Sequence, residues 1–560
     1  MARTKQTRRS GTLGRKLLLI FGIALFVRVI FLLTISRTAC LDINLDPLSD
    51  MEAFHRWALT IVDGDWLGRS PFHPYHPWQQ AIAPQEVWNR WYGKVFHQEP
   101  LYPYLIASSY LFLPRVPLTV IVIQSLLGAA GCVFIFLAAR RLAPAGAALA
   151  AGVLAAFYGP FLFYESLLLR DTILIPLHAL LLWVLVMARD RSGDAGAWRR
   201  WVAGGLIAGL AFITKASILP FLLLWAVFIG WERRQGGIRH AGLPVLLMGA
   251  GFAVAISPVV ARNLAVGAPV LQMTTRGPVE FINGNNRWYR GIGWFDGADE
   301  RVSRYARRVL TSTDDRLLPT ILHVVHDWSD APAGYLGLQA RKLGFFFAPF
   351  EMPNNASYSY FRQRSPFLRY GTITFFWLSP LAVVGLIASL KRRREMAILY
   401  LFLVVGIGFT ILFYVIARFR APLMPAMMIL AGSGVWAIVS AIRRPTAHRL
   451  LTSGTLFLGV LAANVAFDQP DRKLIRPEDF RIAIQGYSRR GDVGQALKEA
   501  EEARAMFGSF SIFHRMAAGL YEDTGRFDEA LRAYRRALQR DPGNPDLQRD
   551  VQRLERLATP

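Results

Sequence analysis

Leu45-Asp46-Pro47-Leu48-Ser49-Asp50-Met51-Glu52-Ala53-Phe54 opens the stretch on which the reading of this chain turns, and Gln98-Glu99-Pro100-Leu101-Tyr102-Pro103-Tyr104 closes it. Residues 45–104 form a non-membrane segment wedged between a first apolar run and a remainder dominated by further apolar runs. Phe54, Trp57, Ala58 and Ile61 follow the period of a helix, and Asp50 falls on the same face. A carboxylate on that face points toward protein and membrane, where water is scarce, which marks Asp50 as the catalytic carboxylate of a membrane-embedded enzyme. Ser49-x-x-Glu52 also has the form of a capping box, the plainer reading of Glu52.

Composition agrees with a membrane setting. The 560 residues are 53% hydrophobic and 18% charged, against roughly 25% charge in an ordinary soluble domain. The net charge of +25 sits largely in short clusters between apolar runs, as topology signals do, so nucleic acid is not an expected partner. Cys40 and Cys132 are the two cysteines and offer neither a disulfide framework nor a zinc site. The basic N-terminus precedes an apolar run, 17–36, of about the ~20 residues that span a bilayer, with no small-residue cleavage site; an uncleaved first span is expected.

Placing the basic clusters on the cytoplasmic side gives about eleven spans, near 17–36, 117–139, 144–163, 172–188, 201–216, 217–232, 241–261, 370–390, 397–416, 421–441 and 449–467. The run 101–113 is too short to span and is expected to be interfacial or re-entrant. The fold class is therefore an all-α polytopic membrane protein. It comprises a cytoplasmic basic tail (1–16), a transmembrane domain (17–467) with outer loops 37–116 and 262–369, a linker (468–478) and a C-terminal helical domain (479–557). In that last domain Tyr487, Gly491, Ala496, Leu497 and Ala503 return as Tyr521, Gly525, Ala530, Leu531 and Ala537, a 34-residue spacing that fits a tetratricopeptide repeat. Two such units are few for independent stability, so the tail is expected to dock on the outer loops or on a protein partner.

Candidate functional residues gather at the outer ends of the spans. Glu165 and Asp171, with Arg170 between them, lie at an outer span end and compete as a second acid. Arg418 and Arg420 sit in a tight outer turn, Ala417-Arg418-Phe419-Arg420-Ala421-Pro422, against the positive-inside trend; a lipid phosphate matches guanidinium geometry, and pairing with an outer acid such as Glu351 is the alternative. Lys215 near a span end reads as a phosphate contact or as a snorkelling lysine. The cluster Phe72-His73-Pro74-Tyr75-His76-Pro77-Trp78 suits stacking on a sugar or a bland interfacial loop, and its two histidines lack a third ligand at useful spacing, so no metal site is assigned. With no Walker or dinucleotide motif, an energy-rich donor has to come from the membrane or from outside.

The outer acidic motif after the first span, the Pro-Leu-Tyr-Pro-Tyr run, the second acid, Arg262-Asn263, Asn283 to Asn286, Glu351 to Asn355 and Arg418 to Pro425 together resemble the membrane-embedded GT-C glycosyltransferases. The likeness covers about residues 15–440 and is strongest to the protein mannosyltransferase and aminoarabinose transferase-like group (glycosyltransferase family 39-like), some of whose bacterial members carry C-terminal tetratricopeptide repeats. The resemblance implies a polyprenyl-phosphate-linked sugar donor and an acceptor hydroxyl on protein, lipid or glycan at the outer face of the cytoplasmic membrane. It implies Asp50 as general base with inversion, Glu165 or Asp171 as second acid, and Arg418 and Arg420 on the lipid phosphate, with Glu52, Tyr102, Arg170, Lys215 and Glu351 lining the substrate. No cofactor is required by it, and a divalent cation is left open, since relatives differ. The chain departs from the group's adjacent Asp-Glu by carrying Asp50-Met51-Glu52. Rival readings are a lipid or polysaccharide transporter, for which no repeated half is evident, and a membrane-anchored scaffold working through the repeats, which leaves the acid-bearing first loop unexplained. Deleting the tail is expected to abolish a scaffold but to cost an enzyme only recruitment or stability.

Overall fold

The computed structural model describes residues 2–69, 73–191, 194–293 and 299–558. Among these the chain is helical throughout, its single piece of extended pairing being an isolated parallel bridge between Tyr158 and Ile373. Among the described residues seven helices are long and apolar enough to cross a bilayer: Leu13–Ile35, Pro117–Leu142, Arg170–Asp190, Arg239–Val266, Phe375–Arg392, Ala417–Arg443 and Ala447–Phe467. The remaining expected spans also fall on helices, Ala145–Ala156, Ala197–Phe212, Ala216–Glu232 and Ala397–Leu412, each shorter than a full crossing. The first of these stops early for a visible reason. The backbone leaves the helix at Phe157-Tyr158 to exchange hydrogen bonds with Ile373 and restarts at Gly159 with Pro160 in its first turn. A side chain at Gly159 would collide with Tyr358 and Thr372, so this close approach depends on glycine.

Bundle packing relies on small residues, as expected where lipid supplies no hydrophobic drive between helices. The helices Phe375–Ser389 and Met424–Arg443 cross at Gly385 and Gly434, where each glycine faces the backbone of the other helix.

The segment after the first span forms a cap at one end of this bundle. A 3-10 helix, Ala39–Leu45, leads into the helix Asp50–Val62, whose buried face carries Phe54, Trp57, Ala58 and Ile61. It packs on the helix Leu101–Tyr110, with the Phe54 and Tyr102 rings edge-on at 5.0 Å. Leu101–Tyr110 has ten residues, about 15 Å of helix, half a bilayer's hydrocarbon thickness.

The C-terminal helices Pro477–Arg489, Val493–Met506, Ser511–Asp523, Phe527–Arg540 and Pro545–Ala558 stack as antiparallel pairs. Ala496, Ala503, Ala530 and Ala537 are fully buried where paired helices touch, and Gly491 and Gly525 take equivalent left-handed turns (φ 75° and 73°). The domain docks on the bundle. Phe480, Ile484 and Tyr487 join the same apolar core as Ala39, Cys40 and Ile43, and charged pairs Arg481–Asp46, Arg490–Asp42 and Arg364–Glu499 (2.8, 2.6 and 2.6 Å) surround that contact.

Candidate active site

Asp50 opens its helix, with Ser49 as N-cap: the Ser49 hydroxyl accepts from the Glu52 amide at 3.1 Å. Glu52 pairs with Arg56 one turn on and faces away from the centre described below. The Asp50 carboxylate instead accepts from two donors far along the chain, Asn355 Nδ2 at 2.8 Å and Arg418 Nη1 at 2.9 Å. Burial pushes the Asp50 carboxyl up. The Arg418 and Arg276 charges and the Asn355 hydrogen bond outweigh it and hold the group below the usual carboxylate range.

Arg418 is brought there by the turn Ala417–Arg420, which starts the helical segment running to Arg443. Its Nε lies 3.9 Å from Asp171 Oδ2 and has no hydrogen-bond partner among the described residues. Asp171, 2% exposed, starts the Arg170–Asp190 helix and takes a 2.8 Å hydrogen bond from Lys215 Nζ. Lys215 sits between two helices with its ammonium 3.4 Å from the Phe419 ring centroid, and so is held inward rather than snorkelling. Asp50, Arg418, Asp171 and Lys215 thus form one line of alternating charge. Arg276, ahead of the helix Gly277–Asn285, adds a further cation near Asp50 while pairing with Glu280 at 3.4 Å.

The other expected site residues lie elsewhere. Glu165 is corrected as a second acid of this centre: both its oxygens accept from Arg28 of the first span (2.6 and 2.7 Å), and the pair is sealed inside the bundle at 1% and 3% exposure. Arg420 is corrected as a phosphate contact, because its guanidinium is consumed by Glu351 and the carbonyls of Phe346, Ala348 and Phe350. Glu351 is that partner and not a free acid; burial raises its carboxyl against the pull of Arg420. Arg170 pairs with Glu99, whose other oxygen accepts from the Ala216 amide at 3.0 Å, so the two fix Lys215 beside Asp171 without belonging to that line themselves. Tyr102 donates to Gln124, which in turn donates to the carbonyls of Glu165 and Leu167 and braces the turn before Asp171. Phe72 lies outside the described residues.

Sequence reasoning missed Asn355, Arg276 and Glu99 as parts of this centre. Asn355 stood in the quoted Glu351–Asn355 motif of the resemblance, with no role assigned to its side chain; Arg276 carried no local signal.

Beside Lys215 a narrow apolar cleft of about 50 Å³ runs between helices, lined by His178, Phe221, Phe402, Phe409, Phe413 and Phe419. No three His, Cys, Asp or Glu side chains among the described residues converge in a metal-holding group. The space between Asp50 and Asp171 that a divalent ion would need is taken by the Arg418 guanidinium.

Residues 97–261 match the dolichyl-phosphate-mannose-protein mannosyltransferase family, and residues 483–545 match the tetratricopeptide repeat. No curated protein matches the chain. Among solved structures it is similar to the Archaeoglobus fulgidus oligosaccharyltransferase complexed with Zn and sulfate, at 14% identity and TM-score 0.43, over 80% of this chain and 53% of that one. It is also similar to ArnT from Cupriavidus metallidurans bound to undecaprenyl phosphate, at 15% identity and TM-score 0.41, over 92% and 79%. The chain spans about half the length of the archaeal enzyme.

Proposed function

We propose that this chain is an integral-membrane glycosyltransferase that moves a sugar from a polyprenyl-phosphate carrier to an acceptor hydroxyl at the outer face of the cytoplasmic membrane. The observation that carries the reading is the Asp50–Arg418–Asp171–Lys215 line, whose Lys215 end borders a narrow apolar cleft. The match of residues 97–261 to a lipid-linked mannosyltransferase family supports it.

In this scheme the lipid chain approaches on the apolar side of Lys215, where Phe221, Phe402 and Phe409 line the narrow cleft, and the phosphate meets Lys215 and Arg418, whose Nε lacks an acceptor. Asp50 takes the proton of the acceptor hydroxyl as its oxygen attacks the anomeric carbon from the face opposite the phosphate, inverting the configuration. The bond from the anomeric carbon to the phosphate oxygen breaks, and the polyprenyl phosphate leaves with one more negative charge than it had as a diester. Lys215 and Arg418 stabilise that added charge more in the transition state than in the ground state, which is the form of binding that accelerates a reaction. Before substrate arrives, Arg418 keeps Asp50 ionised and in place; a phosphate that draws on Arg418 weakens that pairing and makes Asp50 a better base. Asp171 holds Lys215. The basic clusters on the opposite span ends support the stated orientation, with the N-terminus cytoplasmic and the repeat domain outside.

The test is transfer of radiolabelled sugar from polyprenyl-phosphate donors into an envelope extract, wild type against Asp50→Asn, with insertion of both proteins checked by protease protection. Loss of transfer by about 10²–10⁴-fold in a well-inserted variant is the expected size for a missing general base. Equal transfer by both proteins would show that Asp50 is merely an acid in the first turn of its helix.

A further inference from the structure

The repeat domain does more than hang from the last span. It grips, by polar contacts, two segments that build the surroundings of Asp50: one set of contacts is buried and the other lies nearer the surface. One segment is the loop that carries Asn355. Residues 351–357 have no helix of their own, and their backbone makes one internal hydrogen bond, Asn354 N to Ala356 O at 3.4 Å. From the bundle side Arg420 holds the approach to this loop through the carbonyls of Phe346, Ala348 and Phe350. From the repeat side Arg476 donates through its guanidinium to the Asn354 carbonyl and through its amide to Ser357 Oγ at 3.1 Å. Asp479 Oδ2 accepts from the Ser357 hydroxyl and from the Arg476 amide. Ser357 is fully buried and Asp479 is 3% exposed, so neither hydrogen bond has water to replace it. Between these two anchors stands Asn355, whose side chain donates to Asp50.

The second gripped segment is the approach to Asp50 itself. Arg490 donates to the Thr38 carbonyl at 3.1 Å and to Asp42 at 2.6 Å, and Arg481 to Asp46 at 2.8 Å; the Asp46 carbonyl accepts from the Ser49 amide at 2.9 Å, one residue before Asp50.

We propose that the repeat domain is a working part of the catalytic centre, in which Asp479 and Arg476 are positioning residues that hold the 351–357 loop so that Asn355 orients the Asp50 carboxylate. The proposal rests on the reading of Asp50 as the reacting base, but its first readout does not. It also changes the meaning of a tail deletion: losing the tail removes the support of Asn355, so loss of activity on truncation does not single out a scaffold.

The experiment uses the full-length chain in lipid nanodiscs and compares wild type with Asp479→Ala, Asp479→Asn and a control on the last helix, Arg553→Ala, which removes an ion pair with Glu522 within the repeats. A single oxygen of Asp479 takes both hydrogen bonds, so the asparagine variant keeps them and the alanine variant loses both. Hydrogen exchange of residues 351–357 is measured first, on the protein without donor. Asp479→Ala is expected to exchange there at least about ten-fold faster, with Asp479→Asn and Arg553→Ala like wild type. Turnover is measured second. Asp479→Ala is expected to lower kcat by about ten- to a hundred-fold, the scale of a misplaced reacting group, with the donor KM within about two-fold of wild type. Asp479→Asn is expected to restore kcat. Unchanged exchange in Asp479→Ala overturns the clamp, and faster exchange with unchanged kcat overturns its role in positioning Asp50. An asparagine variant as damaged as the alanine one overturns the hydrogen-bond account. If wild type transfers no sugar at all, the functional reading fails, and the exchange result still decides whether the clamp exists.

Discussion

The guanidinium of Arg418 lies 2.9 Å from the carboxylate of Asp50, although 368 positions separate them. The segment after the first span and the turn that starts the Ala417–Arg443 segment are thereby joined at one point, and the remaining Arg418 Nε–H faces Asp171 at 3.9 Å. A single planar cation bridges two acids and keeps one donor unspent, an arrangement a lysine cannot reproduce.

Arg418→Lys is therefore expected to cut sugar transfer by about 10²-fold while the protein stays folded, since it keeps charge but loses the fork that reaches both acids. Initial rates from reconstituted protein check this. Full activity in the lysine variant would mean that a point charge suffices and that the bridging geometry is incidental.

Lys215→Met is expected to destabilise the protein by about 3–5 kcal/mol, because it leaves the Asp171 carboxylate buried without its closest cation. The double variant Lys215→Met with Asp171→Leu should recover much of that stability yet remain inactive. Denaturant unfolding and transfer assays on the same preparations separate the two effects. A double variant as unstable as the single one would contradict the pairing.

Glu165→Gln is expected to lower stability by a similar amount because it leaves the buried Arg28 guanidinium without its counter-charge, while the kcat of the folded fraction stays near wild type. Gly128→Ala tests the same place independently: an added Cβ would run into the Glu165 carboxylate. A fall in kcat of correctly folded Glu165→Gln would return that acid to the catalytic centre.

Stability is expected to fall on mild acidification. Burial lowers the pKa of His55, His73, His76 and His97 from the ordinary value of 6.5, for His97 most strongly, with Arg276 adding to the effect and Asp50 opposing it. The unfolded chain then binds protons near pH 6.5 that the folded chain refuses, so this stabilisation is present above pH 6.5 and is lost as pH drops toward the folded-state values. Asp50 acts in the same direction further down: held below the usual carboxylate range, it contributes above about pH 4 and loses that contribution as pH falls. Melting curves from pH 7.5 to pH 5 in about half-unit steps should show the decline, and His97→Asn should flatten it. An identical slope in the variant would remove His97 from the account.

Much of the architecture is legible in the chain because it rests on local regularities. Apolar runs of bilayer length, basic clusters between them and the return of Tyr487, Gly491 and Ala496 as Tyr521, Gly525 and Ala530 all read within short windows. The limit appears where a run is long enough but does not stay one helix. Residues 144–163 read as one span, yet the backbone breaks at Phe157-Tyr158 to pair with Ile373, more than two hundred positions away, and no local pattern announces that partner.

The centre divides along the same line. Asp50 was singled out by its helical face, Lys215 and Arg418 by cations placed where span ends should lack them, and the structure draws them together. Sequence alone left Glu165 and Asp171 equivalent, six positions apart at one span end. Tertiary structure chose between them: the turn at 166–169, braced by Gln124 and Asn44, sends Glu165 into the bundle against Arg28 and leaves Asp171 facing Lys215 and Arg418. The same holds for Arg420, consumed by Glu351 and carbonyls, and for Asn355, whose motif gave no hint that it donates to Asp50. Periodicity and composition determine where helices form and which face avoids water, because those depend on neighbours in the chain. Which charge meets which is decided only when distant segments pack, because a buried ion is tolerable solely beside a partner, and that partner is set by the geometry of the whole bundle.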